Sequence, residues 1–87
     1  MDTEDVTARP DPPVRFSGHA LRMLRTDRRM RQGDLAAACR VTVHTIRSYE
    51  AEVITPSMPV LCRLVVALDC QVSGLFTDTR ARVEVPA

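Results

Sequence analysis

The chain contains no lysine and no tryptophan, and its only aromatic residues are Phe16, Tyr49 and Phe76. A core with so few rings must be aliphatic, built from Leu, Val, Ile, Met and Ala. Long hydrophobic runs are also missing. No stretch approaches the ~18 apolar residues of a membrane-spanning helix, and the acidic start Met1-Asp2-Thr3-Glu4-Asp5 does not have the basic-then-apolar pattern of a secretory signal. The expected location is therefore the cytosol. Cysteine is scarce: Cys39, Cys62 and Cys70 form an odd set with no Cys-x-x-Cys spacing and no neighbouring His pair. That excludes a disulfide framework and a tetrahedral zinc site, and all three are expected to be small apolar core residues in a reducing compartment. The two histidines, His19 and His44, fall on different expected helices with no acidic pair beside either. A nucleophile, a base and an orienting group do not converge, so neither catalysis, cofactor, metal nor small-molecule ligand is expected.

Eighty-seven residues are enough for one domain, and a core of that size gains from a partner subunit. The net charge of +1 conceals a strong division along the chain. Residues 1–14 carry a net −3, residues 15–47 a net +6, residues 48–79 a net −3, and residues 80–87 a net +1. The basic third is where a polyanion would lie, since each neutralised phosphate releases condensed counterions. A solvated helix face has the same composition, so pattern must carry the argument further.

Residues 1–14 hold three of the six prolines and little apolar periodicity, and are expected to form a disordered arm. Ser17 is placed to cap a helix over 18–29, with Leu21, Leu24 and Arg28 along one face. Gln32 opens a short second helix with Leu35, Ala36 and Cys39 inward, and Ala36-Ala37-Ala38 keeps it slim for close packing. After a turn at Arg40-Val41, Thr42 caps a third helix to about Ala51. Val41, Ile46 and Tyr49 face the second helix, leaving Val43, His44, Arg47 and Ser48 outward. Ser57 caps a fourth helix with Pro59 in its first turn and Leu61, Leu64, Val65 and Leu68 as its buried stripe. A fifth short helix at Val72–Phe76 is expected to close the core with Leu75 and Phe76. From Asp78 the chain reads as a tail, in which Val83-Glu84-Val85 alternates like a short strand.

Two short helices joined by a tight turn, the second capped and polar outside, form a helix-turn-helix. The elements Leu24-Arg25, Gln32-x-x-Leu35-Ala36, Val41-Thr42, Thr45-Ile46, Tyr49-Glu50 and Pro56-Ser57, followed by Leu64, Leu68 and Leu75, resemble the Cro/C1-type (XRE) family of phage and bacterial repressors over residues 18–77. The resemblance implies an all-α, five-helix, lambda-repressor-like bundle spanning 15–77. It also makes the helix at 42–51 the recognition helix, whose early outward residues read base edges in the major groove. Those positions are Thr42, Val43, His44, Arg47 and Ser48 here. Arg47 is suited to guanine O6 and N7, His44 to a base edge or phosphate, and Val43 to a thymine methyl. Gln32 matches a phosphate-touching position, and Arg31 and Arg40 are phosphate contacts by position and charge. Arg25 and Glu50 match a structural ion pair of the family.

Two departures stand out. The turn position usually held by Gly is Arg40, which is strained if the backbone there is left-handed. A second Gly position is Glu52, an acid near the expected path of a phosphate, followed by the apolar loop Val53-Ile54-Thr55. Weak binding to a single half-site follows, repaired by dimerisation on half-sites ~34–36 Å apart. Val53 and Ile54, or the tail around Val83–Val85, are the expected dimer surface. The resulting expectation is a sequence-specific regulator of transcription, a repressor, that binds double-stranded DNA as a homodimer. The alternative is a protein-interaction module on the same fold, an antitoxin or an adaptor for another regulator, with little DNA affinity.

Overall fold

The computed structural model of the chain describes residues 14–78. Strand β1 (Val14–Phe16) leads into four α-helices: α1 (Gly18–Asp27), α2 (Gln32–Cys39), α3 (Val43–Glu50) and α4 (Met58–Leu68). A 3-10 turn, Val72–Leu75, then leads into strand β2 (Phe76–Asp78). Each of three helices begins where a hydroxyl caps it. Ser17 Oγ accepts from Ala20 N–H at 2.9 Å, Thr42 Oγ1 from Thr45 N–H at 3.1 Å, and Ser57 Oγ from Val60 N–H at 3.5 Å. These bonds satisfy amides that the helix itself leaves unpaired.

All four helices end in the same way. Arg29, Arg40, Glu52 and Asp69 adopt positive φ of 58°, 60°, 62° and 50°. The next residue's N–H then returns to a carbonyl five residues back: Met30 to Arg25, Val41 to Ala36, Val53 to Ser48 and Cys70 to Val65. This is the left-handed closure that usually takes Gly, yet none of the three glycines stands at such a position.

The four-helix count corrects the five-helix expectation. Val72–Leu75 forms a single 3-10 turn, and Phe76 lies in β2 instead of in a helix. The β strands pair antiparallel, with Val14 opposite Asp78, Arg15 opposite Thr77 and Phe16 opposite Phe76. Ser17 N–H donates to Leu75 O at 2.8 Å, continuing the seam. Val14 and Asp78 thus belong to the ribbon, while the rest of the expected arm and tail, including Val83–Val85, lies outside the described residues.

The ribbon brings the three aromatics together. The Phe16 ring meets Phe76 edge-on at 6.1 Å and Tyr49 at 6.4 Å, tying the ribbon to α3. Leu21, Leu35, Cys39, Ile46, Leu64, Leu68 and Leu75 are fully enclosed and form the centre. Two cysteines depart from expectation: Cys62 is exposed on α4 and Cys70 is only partly buried. Arg28 is exposed rather than continuing the Leu21 face, and its guanidinium donates to the carbonyls of Leu68 and Asp69 at the end of α4. There a cation complements the helix dipole. Among the described residues, no helix is long and apolar enough to cross a membrane.

Candidate nucleic-acid interface

Helix α3 is fixed from its inner side. Ile46 and Tyr49 are buried beneath it, and Val41 packs against the core from the turn before it. Its outer side therefore presents His44 and Arg47, both exposed, with Ser48 half-buried at the margin. Val43 turns further inward than the sequence pattern indicates: it is half-buried and packs against the core. Thr42 is exposed, but its hydroxyl is occupied by the Thr45 amide and lies 3.0 Å from the Thr45 hydroxyl.

Helix α2 frames this surface. Arg31 stands immediately before it and Arg40 immediately after it, both exposed. Eight residues at ~1.5 Å each separate them by roughly 12 Å of helix. Arg31 N–H donates to Asp34 Oδ2 at 2.9 Å, so this acid of the first turn is engaged at the helix start. Arg40 is in the left-handed region at φ 60° and ψ 42°, which supplies the condition for strain noted above.

A polar network runs beneath the surface. Arg25 is buried and donates from Nε to Glu50 Oε2 at 2.6 Å and from Nη2 to Glu50 Oε1 at 3.2 Å. Its Nη1 donates to Met30 O at 2.8 Å, which pins the segment joining α1 to α2. Glu50 Oε1 also accepts from Gln32 Nε2 at 3.1 Å, and Gln32 Oε1 accepts from Arg47 Nε at 3.2 Å. The family resemblance implies that Arg25 and Glu50 are partners but gives no sign that Gln32 and Arg47 join them. These contacts span 15 and 18 residues.

Glu52 has an unexpected role. Its carboxylate accepts from Gly18 N–H at 2.7 Å, holding the first amide of α1 from the end of α3. The acid is bound to a helix N-terminus, where a negative charge is stabilising. The two elements approach so closely that a Cβ on Gly18 would lie 2.5 Å from Tyr49 O and closer still to Glu50 O. Among the eight arginines of residues 15–47, Arg25 and Arg28 are committed to partners inside the protein. Arg31 and Arg40 at the ends of α2 and Arg47 on α3 are exposed, Arg47 with its Nε held by Gln32. Among the described residues, no group of three or more His, Cys, Asp or Glu could hold a metal ion.

Comparison with known proteins agrees with the helix-turn-helix fold. Residues 18–74 match the family model described as a helix-turn-helix domain. No curated protein matches the chain. Among solved structures, the P22 c2 repressor, crystallised in complex with a synthetic operator, is 26% identical with a TM-score of 0.66, covering 70% of this chain and 92% of the repressor chain. The restriction-modification controller protein C.AhdI from Aeromonas hydrophila is 28% identical with a TM-score of 0.64, covering 67% and 88%. The clp gene regulator ClgR from Corynebacterium glutamicum is 29% identical with a TM-score of 0.64, and this chain spans 62% of its length. The structural neighbours are of the Cro/C1 type, and the chain belongs to the helix-turn-helix domain family.

Proposed function

We propose that this protein is a sequence-specific regulator of transcription, a repressor, that inserts α3 into the major groove of double-stranded DNA in the cytosol and performs no chemistry of its own. The observation that carries the proposal is the outer face of α3. His44 and Arg47 are exposed on a helix anchored on its other side by Ile46 and Tyr49, and the preceding helix α2 carries an exposed arginine at each end. A major groove ~12 Å wide admits such a helix. Arg47 reads guanine, and His44 reads a base edge or a phosphate. Val43 and Ser48 line the margin, and Thr42 contributes through its position at the helix start. Arg31, Arg40 and Gln32 contact phosphates and set the register. The likeness to a repressor crystallised with operator DNA supports the same reading.

A palindromic operator and a homodimer complete the proposal. Val53 and Ile54, 73% and 46% exposed, are apolar side chains that a second copy would cover. The protein-interaction reading draws on the same exposed residues, together with Met58 and Val66 on α4. It loses one of its supports, because Glu52 is engaged by Gly18 N–H.

Enrichment of a randomised duplex pool by the full chain at ~0.1 M salt separates the two. A palindromic motif with half-sites ~34–36 Å apart is expected, along with a dimer in sedimentation on the enriched duplex. No enrichment, with a monomer throughout, would overturn the operator reading and favour a protein partner.

A further inference from the structure

The network beneath α3 has a direction. At its root, Arg25 is buried and holds Glu50 through two hydrogen bonds, while its third nitrogen is fixed on Met30 O. Glu50 has one oxygen left to share, and Gln32 Nε2 donates to it. That contact sets the amide orientation. A carboxylate requires the NH2 end of the Gln32 side chain, which turns the carbonyl end outward. The outward Oε1 meets Arg47 Nε, and a guanidinium can only donate to it. Both neighbours therefore impose the same orientation, and the opposite one would set oxygen against carboxylate and NH2 against guanidinium.

Arg47 is exposed, and an exposed arginine ordinarily samples many rotamers. Here its Nε is tethered, and its two terminal nitrogens have no hydrogen-bond partner among the described residues. An arginine can approach guanine side-on through Nε and one terminal nitrogen, or end-on through both terminal nitrogens. With Nε held by Gln32, the end-on fork remains. Val43, one turn earlier on α3, has no side-chain hydrogen-bonding group, so on the outer face of α3 the Gln32 amide engages Arg47.

We propose that Gln32 is a specificity-positioning residue: its amide, oriented by the Arg25–Glu50 pair, holds Arg47 Nε so that the terminal nitrogens are presented end-on to a guanine. This role rests on α3 being the recognition helix. It adds to a phosphate contact a part in base discrimination by a residue that touches no base.

The test compares wild type, Gln32→Met, Gln32→Ala, Arg47→Ala and the double variant Gln32→Met/Arg47→Ala, each as the full chain with a melting curve to verify folding. In the free protein, the Arg47 Nε–Hε signal in nitrogen–proton spectra is expected to be protected from exchange. It should lose that protection in both Gln32 variants, while the Arg25 signal is retained. On the enriched duplex, Arg47→Ala identifies the base pair that Arg47 reads. Discrimination at that base pair should fall about two- to tenfold in the Gln32 variants, the coupling expected of directly bonded side chains. Discrimination at the other positions should be unchanged, and the double variant should match Arg47→Ala at the assigned position. A uniform loss of affinity with discrimination intact, or an Arg47 signal indifferent to Gln32, overturns the role of Gln32 alone. A wild-type chain that enriches no duplex overturns the proposed function, and this role with it.

Discussion

Replacing Gly18 by Ala reverses the usual effect of that substitution in a helix. Ala at an unobstructed helical position is favoured over Gly by roughly 0.5–1 kcal/mol, because Gly loses more backbone freedom on folding. At Gly18 the added methyl would stand 2.5 Å from Tyr49 O, with Glu50 O nearer still. Both obstacles are backbone atoms, so no side-chain rotation relieves the clash. The N-terminus of α1 must withdraw from the end of α3, and overpacking of this kind costs ~1–3 kcal/mol. The withdrawal also stretches the 2.7 Å hydrogen bond from Gly18 N–H to Glu52, a bond to a charged group worth ~1.5–3 kcal/mol. With only part of that bond lost, the net destabilisation should be about 1–3 kcal/mol, lowering the melting temperature by roughly 5–20 °C in a domain of this size. Thermal and urea unfolding measure it. Gly33→Ala is the matched control, because the nearest atom to its Cβ is Val43 Cγ2 at an ordinary 3.7 Å. That variant should be neutral or stabilised by up to ~1 kcal/mol. A Gly18→Ala protein that melts at or above wild type would refute the close approach of α1 to α3.

Glu50→Ala leaves the buried Arg25 guanidinium without its carboxylate and should cost ~3–5 kcal/mol in denaturant unfolding. The double replacement Arg25→Met/Glu50→Met should recover most of that loss. Arg40→Gly should stabilise the fold by ~1–2 kcal/mol, since it relieves a side chain at φ 60°. The same variant should reduce the slope of log affinity against log salt by ~0.9 per DNA-bound subunit, as expected for one lost phosphate contact. Alkylation of the native chain at neutral pH should be confined to the exposed Cys62, as peptide mapping would show, because burial raises the Cys39 and Cys70 thiols above the usual 9.0. Those raised values mean that the native state holds the thiol protons more tightly than the unfolded chain does. The associated stability is present below about pH 9 and should fall as pH rises through the folded values, which urea titrations at pH 8 and 10 would detect.

The helices were legible because their signals are local. Ser17, Thr42 and Ser57 each precede an apolar stripe by the spacing a cap requires, and Ile46 and Tyr49 repeat at helical spacing beneath α3. The β ribbon was not legible. Three-residue strands are too short to establish an alternating pattern, and the partners Phe16 and Phe76 lie 60 residues apart in the sequence. The run Val72–Phe76 has the apolar content of a helix, but Phe76 is drawn away to stack against Phe16. Charge counting overstated the cations available to DNA, since it cannot separate Arg28, which closes α4, from Arg31 or Arg40. It also misplaced Glu52. An acid in a basic region reads as a repulsive element unless its long-range partner is known, and Gly18 lies 34 residues away. The network from Arg25 to Arg47 was hidden for the same reason: each residue has an ordinary solvated reading until the fold brings the four together.

The central claim is that the outer face of α3 meets the DNA, and backbone amide shifts of the full chain titrated with its enriched duplex test it most directly. The largest changes are expected at residues 42–48 and at Arg31, Gln32 and Arg40, the two ends of α2. Changes confined instead to Val53, Ile54 and the Met58–Val66 face, with α3 unperturbed, would contradict the account.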